Sequence, residues 1–264
     1  MRGFMLVLIG LPTLALAGDS RLLDPIVVDL GSSAPTMDYN GALSQRSANK
    51  VLNGAAITVS NPVGTTVVRC VDTEFIEARL DYRLEGSNGP QLEAYGNGLK
   101  MQTTGNGTTG SVTVVGPSRP ATMKASSVDV IVMVPQTVKL TVKGGSDWVQ
   151  VSGCSGNVAA WAGKNGIYVD GALTNFDVSA GTGDVKVNVS TSAGVGIGKV
   201  TALAGNAEVT LPQGFDGKVD VRGASVNVQP LVAGSVGATV VTGTIGLGKG
   251  TLTVKASADV MVKQ

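Results

Sequence analysis

The chain has 264 residues, 20 basic and 19 acidic side chains, a formal net charge of +1, 43% apolar residues, 4% aromatics and no histidine. The missing histidine excludes a Ser-His-Asp triad, a Cys-His dyad and His-ligated zinc or haem. The near-zero charge argues against a nucleic-acid or anionic-lipid binder driven by a basic field, and the apolar share suffices for a packed core.

Arg2, an apolar stretch over 5–16 and Ala15-Leu16-Ala17 read as a secretory signal cleaved between Ala17 and Gly18. The stretch is shorter than the ~20 residues of a spanning helix. No cysteine follows the site, and the most apolar later run, 128–134, contains Asp129. The expectation is an exported protein (periplasmic, cell-surface or extracellular) with no membrane span in the mature chain. Residues 18–50 show no sustained period and read as a linker or N-terminal cap.

From 51 to 264 the texture changes to period-2 alternation. Residues 57–60, 112–114, 138–143, 149–151, 185–189, 219–222, 226–229 and 252–255 read as Val-dominated strands. In 74–84, Phe75, Ile76, Ala78, Leu80, Tyr82 and Leu84 mostly follow period 2, which favours strand over helix. Residues 86–110 break the rhythm and are expected to form a protruding loop, a contact surface if the role is adhesion. Two cysteines in an exported chain admit one disulfide, Cys70–Cys154, closing 154 − 70 = 84 residues; two buried thiols are the alternative.

After successive Gly/Asn/Asp turns, the first apolar residues are Val149, Val158, Ile167, Phe176, Val185 and Val195, at steps of 9, 9, 9, 9 and 10. So short a strand–turn unit cannot bury a core alone, but stacked copies can. The expected fold is all-β: a single-stranded parallel β-solenoid (β-helix) with short Gly/Asn/Asp turns. About two units make a coil, and each strand pairs with its equivalent one coil later. A β-sandwich of short antiparallel strands is the alternative. A solenoid's two ends carry unpaired backbone that is capped or used for assembly.

Ile57-Thr58-Val59-Ser60-Asn61-Pro62-Val63-Gly64 with Val67-Val68-Arg69, and Val128-Asp129-Val130-Ile131-Val132-Met133-Val134-Pro135 with Val138-Lys139-Leu140-Thr141-Val142, resemble phrases of a bacterial family of exported adhesin-like proteins, a domain of unknown function. Gly156-Asn157-Val158, Gly183-Asp184-Val185-Lys186-Val187 and Gly205-Asn206-Ala207-Glu208-Val209 resemble its repeated strand, Gly, Asp or Asn, strand unit. The resemblance covers 55–263. It implies a β-solenoid and export, and no reaction. Residues 86–110 depart from it, as does Gly194-Val195-Gly196-Ile197-Gly198, which stands where an acidic turn is expected.

Chemistry-bearing residues are sparse. Gly181-Thr182-Gly183-Asp184-Val185 resembles the calcium coils of repeat toxins, but Asp147, Asp184 and Asp216 are scattered, and turn chemistry accounts for them. Asp184 with Asp170 or Asp177 would make a glycosidase-like pair if stacking joined them. Trp148 and Trp161 are read as core, with sugar or partner stacking as the alternative; Tyr82, Tyr95 and Tyr168 share that ambiguity. Lys186, Lys199, Lys218 and Arg222 read as solvated faces. Serines lack a base, and no helix follows Gly194-x-Gly196-x-Gly198, so it is not a dinucleotide fingerprint. The function expected is a non-enzymatic, exported structural or binding module, an adhesin-like surface or envelope protein. It needs no cofactor, metal or catalytic residue, and its partner is an unidentified protein or glycan surface rather than nucleic acid. The alternatives are a scaffold self-assembling end to end and a polysaccharide-active β-helix enzyme.

Overall fold

The computed structural model describes residues 28–29, 36–190, 195–229 and 232–264. The signal stretch with its Ala17–Gly18 site lies outside the described residues, as does Gly194. The described chain is all-β apart from one helix. The first strands are β1 (Val28–Asp29), β2 (Thr36–Arg46), β3 (Val51–Asn61), β4 (Thr66–Val71) and β5 (Glu77–Gly86). Helix α1 (Gly89–Gly98) leads to β6 (Lys100–Gly105), β7 (Gly107–Val115) and β8 (Met123–Pro135). Next come β9 (Lys139–Gly144), β10 (Val149–Ala162), β11 (Ile167–Ala180), β12 (Val185–Val189), β13 (Ile197–Ala202) and β14 (Ala207–Thr210). The chain ends with β15 (Gly217–Arg222), β16 (Ser225–Val228), β17 (Ala233–Val236), β18 (Val240–Ile245), β19 (Gly250–Ala256) and β20 (Asp259–Lys263).

Pairing organises these strands into two ladders. In the first, β7, β3, β9, the second half of β10, the second half of β11, β13, β19 and β15 run parallel. In the second, β8, β4, the first half of β10, the first half of β11, β12, β14, β20 and β16 run parallel. β10 and β11 belong to both and shift register at Ser152/Cys154 and Gly156/Asn157. Antiparallel strands flank the parallel ones. β6 adds to β7, β5 and β2 add to β8, and β18 with β17 adds to β15.

The nine-residue series reappears as register. Val149, Ile167 and Val185 share one row, while Leu140, Val158 and Phe176 share another. Alternate units therefore stack, 18 residues apart. The series stops at Val195, which is buried before β13 begins at Ile197. Stacking order also departs from the expected one-coil-later rule in two places. β3 and β4 sit between the β7–β8 and β9–β10 rungs. β19 and β20 sit between β13–β14 and β15–β16. In the first case the inner rung is laid down first and the chain then adds one neighbour on each side of it; in the second the outer rung β15–β16 comes first and the chain returns to fill the rung inside it.

Inward positions repeat one residue type. Val59, Val142, Ala160, Val178, Val200, Val254 and Val221 form an in-register row on the first ladder. Val68, Val151, Val169, Val187, Val209 and Val262 do so on the second. All are buried and belong to one continuous apolar cluster. A stiff β-branched side chain packs on its copy in the next strand without losing rotamer freedom. The turns stack as closely. A Cβ on Gly163 would lie 2.7 Å from the Gly145 carbonyl oxygen, and one on Gly181 would lie 2.4 Å from that of Gly163.

Of the two alternatives for 18–50, a linker or an N-terminal cap, the linker does not describe 36–46, where β2 is a regular strand that pairs with β5 at ten positions. A second expectation is corrected. Residues 86–110 are not a protruding loop: they hold α1 and β6 and reach into β7. Asn88 caps α1 by accepting from the Gln91 amide, with Pro90 in the first turn, where no donor is lost. Leu92, Tyr95 and Leu99 are buried at helical spacing. Gly96 leaves room for the Tyr39 and Tyr82 rings, whose centroids lie 6.1 Å apart. The segment thus covers β2 and β5 at one end of the stack.

Cys70 and Cys154, both buried, are joined with Cα atoms 4.8 Å apart. The bridge spans 84 residues of sequence. On the chain-entropy account such a loop contributes about 4 kcal/mol. Reductant, or a Cys70→Ser/Cys154→Ser double variant, should lower the thermal midpoint markedly without changing the far-ultraviolet dichroism of the folded protein. An unchanged midpoint would show that the bridge carries no stability.

Candidate functional site

The outward face of the second ladder carries a groove of about 650 Å³. Its floor is a row set by parallel register: Tyr168, Lys186, Glu208, Met261 and Asn227. Its wall comes from the residues two positions earlier in each rung, at or just before the strand starts: Trp148, Gly166, Asp184, Asn206, Asp259 and Ser225. Because the strands are parallel and in register, equivalent side chains repeat about every 4.8 Å.

Trp148 stands at one end, 52% exposed. The benzo edge of its indole rests against Gly166, where a Cβ would lie 2.3 Å from Cζ3 and 2.5 Å from Cη2. Glycine at this position is what allows the ring to lie there. Further along, Asn206 donates from Nδ2 to Asp184 Oδ1 at 3.0 Å, and its backbone N–H donates to the same oxygen at 2.8 Å. Asn206 Oδ1 in turn accepts from the Asp259 amide at 3.1 Å. These contacts chain three rungs together along the wall.

On the floor, Glu208 lies between two ammonium groups, Lys263 at 2.5 Å and Lys186 at 3.2 Å. The hydrogen bond from Lys263, helped by Lys186, holds its carboxyl below the ordinary glutamate range, although burial pushes the other way. A carboxyl so held stays ionised at neutral pH and is poorly suited to donating a proton.

The structure corrects the reading of the tryptophans as core. Trp161 is 47% exposed on the first ladder, and Trp148 is exposed as described above. Both rings stand on outward positions, next to inward residues that are buried. Parity would have revealed this: Trp161 lies between buried Ala160 and Ala162, and Trp148 precedes buried Val149. Tyr82 and Tyr95 are buried, while Tyr168 is half-buried in the groove.

The proposed carboxylate pairs are not assembled. Asp170 accepts from Asn188 at 2.5 Å, Asp177 pairs with Lys199 at 3.2 Å on the other ladder, and Asp184 is bound to Asn206. Asp170 and Asp184 sit at opposite ends of the β11–β12 pairing, about 13 Å apart by strand rise. Turn chemistry also accounts for Asp147, which accepts from Asn165, and for Asp216, which accepts from the Gly248 and Lys249 amides. Among the described residues no group of three or more Cys, Asp or Glu is placed to hold a metal. Lys186, Lys199 and Arg222 are exposed ion-pair partners of Glu208, Asp177 and Asp220. Sequence reasoning missed Asp259, Met261 and Lys263 as partners of Asn206 and Glu208. They arrive by a pairing with a strand more than 50 residues further along.

No family profile and no curated protein matches the chain. Among solved structures, a candidate cell adhesion protein from Clostridium sporogenes is 13% identical, with a TM-score of 0.49 over 84% of this chain and 99% of that one. A candidate adhesin from Bacteroides fragilis is 10% identical, with a TM-score of 0.30 over 84% and 97%. A candidate lipid-binding protein from Parabacteroides distasonis is 13% identical, with a TM-score of 0.26 over 84% and 96%. At these values neither fold nor function passes from those proteins to this chain.

Glu208 has a lowered carboxyl pKa in the folded state, so its ion pairs stabilise the fold above the ordinary glutamate value of about 4.3. That contribution fades as pH falls below it. Glu208→Gln should therefore lower the urea midpoint at pH 7, and the difference from the parent should shrink toward pH 3. A difference that stays constant with pH would rule out the ionised clamp.

Proposed function

We propose that the chain is a β-solenoid display module of an exported, adhesin-like surface or envelope protein, and that it binds through the groove on its second ladder. The solenoid reading is supported by the 18-residue register of parallel rungs and by turns too tight for a Cβ. Export is supported by the signal-like residues ending at Ala17 and by a cysteine pair suited to an oxidising compartment. No helix among the described residues is long and apolar enough to cross a membrane.

The observation that carries the binding reading is Trp148. It is a large aromatic, more than half exposed, seated on Gly166 and lining the groove together with Tyr168. The reading is non-enzymatic because two of the groove's carboxylates, Asp184 and Glu208, are tied to an amide and to ammonium groups. The test is protease shaving of intact source cells, followed by antibody. Digestion from outside is expected; protection until the outer barrier is broken would overturn surface display.

A second reading, the self-assembling scaffold, draws on the other end of the stack. β17 is exposed along its length, has β18 on one side and no strand on the other among the described residues, and carries no charge or proline to guard its edge. Val236 is 69% exposed there. If this edge drives assembly, sedimentation velocity should show concentration-dependent association that Val236→Lys abolishes. A monomer at all concentrations removes this reading.

A further inference from the structure

We propose that the groove takes a neutral, extended saccharide chain that lies across the rungs from Trp148 toward Asn227. This rests on the binding reading above and adds the ligand's chemical class and orientation.

The groove is open and long rather than enclosed. It crosses six successive strands, β10, β11, β12, β14, β20 and β16. Five strand spacings make it about 24 Å in length. Such a site suits a chain of repeating units better than a compact molecule. Its polar side chains, Asp184, Asn206, Asp259, Ser225 and Asn227, are spaced by the strand repeat along the groove.

The chemistry at each step fits hydroxyl groups. A hydroxyl both donates and accepts, and pairs of carboxylate and amide serve both needs. Asp184 with Asn206 supplies such a mixed pair, and Asp259 and Asn227 add a carboxylate and an amide further along the groove. Trp148 and Tyr168 at one end supply aromatic surface against which the C–H face of a sugar ring can lie. Seating on Gly166 holds the indole in place before any ligand arrives, which reduces the ordering cost of binding.

Charge excludes the competing polymers. Glu208 is neutralised by Lys186 and Lys263, which leaves Asp184 and Asp259 to set the sign of the field. An anionic chain such as a nucleic acid or a polyuronate would meet like charge. The large apolar side chains that stand out from the floor and wall are Trp148, Tyr168 and Met261, with Trp148 and Tyr168 together at one end.

The test is affinity electrophoresis of the purified chain in gels cast with a neutral glucan, a neutral mannan or a uronic-acid polymer. Retardation by at least one neutral polymer and none by the uronate is expected. Trp148→Ala and Tyr168→Ala should raise the dissociation constant about tenfold or more, as loss of an aromatic anchor does. Trp161→Ala, on the other ladder, should leave it unchanged. Gly166→Ala keeps the indole but displaces it and should weaken binding too. In Trp161→Phe protein, Trp148 is the sole indole of the two, and its emission should shift on addition of the retarding polymer. Thermal midpoints of all variants check folding. No retardation by any neutral polymer, or retardation by the uronate alone, overturns the saccharide proposal. Cell shaving is unaffected by either result, so failure here and failure of the display reading are separately visible.

Discussion

The structure depends on the parallel in-register stacking of inward residues, valine above all, on their copies in the neighbouring strands. The inward side chains of both ladders are buried in one continuous apolar cluster. The in-register rows through Val178 and Val187 therefore carry both the apolar burial and the alignment of the two ladders. Alternation with period 2 then makes the outward residues line up as strictly as the inward ones. Rows of like-positioned surface side chains, including the groove floor, follow from how the core is built.

That coupling explains why the polar chemistry of this protein runs across strands. Asn157 accepts from Asn175, Asp170 from Asn188, Asp184 from Asn206, and Asp177 pairs with Lys199. In each case the partner is the residue one rung away. The carboxylates that looked available for acid–base work are taken up by these cross-rung contacts. Rigid rows of satisfied groups suit recognition of a repeating ligand; catalysis would need two carboxyls in unlike environments.

Much of the rung structure was legible in the sequence, because its signals are local. Alternation located the strands at 138–143, 149–151 and 185–189, and the nine-residue step gave the spacing that register doubles to 18. Helix α1 was harder to read. Leu92, Tyr95 and Leu99 carry its buried side, but Gly96, Asn97 and Gly98 in its last turn are poor helix formers, and the period is too brief to stand out. The tryptophans were misassigned by residue type although their parity was visible. A large apolar side chain suggests the core, but Trp161 stands between the inward residues Ala160 and Ala162, and Trp148 stands just before inward Val149. The groove was the least legible feature, because its floor joins β11 and β12 to β20, and no local pattern encodes that pairing.

The return of β19 and β20 into the stack gives the groove its dependence on the completed fold. Until β20 docks between β14 and β16, Asn206 Oδ1 lacks the Asp259 amide and Glu208 lacks Lys263. Docking of β20 brings one cation and one carboxylate together, Lys263 to Glu208 and Asp259 beside Asn206. The last strand therefore both closes the core row at Val262 and completes the ion-pair clamp on Glu208. A surface that binds through an extended row is in this way available only on a chain whose rungs are all in register. The end at Trp148 has no such dependence. Its ring rests on Gly166 within two adjacent rungs of continuous sequence, the one part of the groove built by local stacking alone.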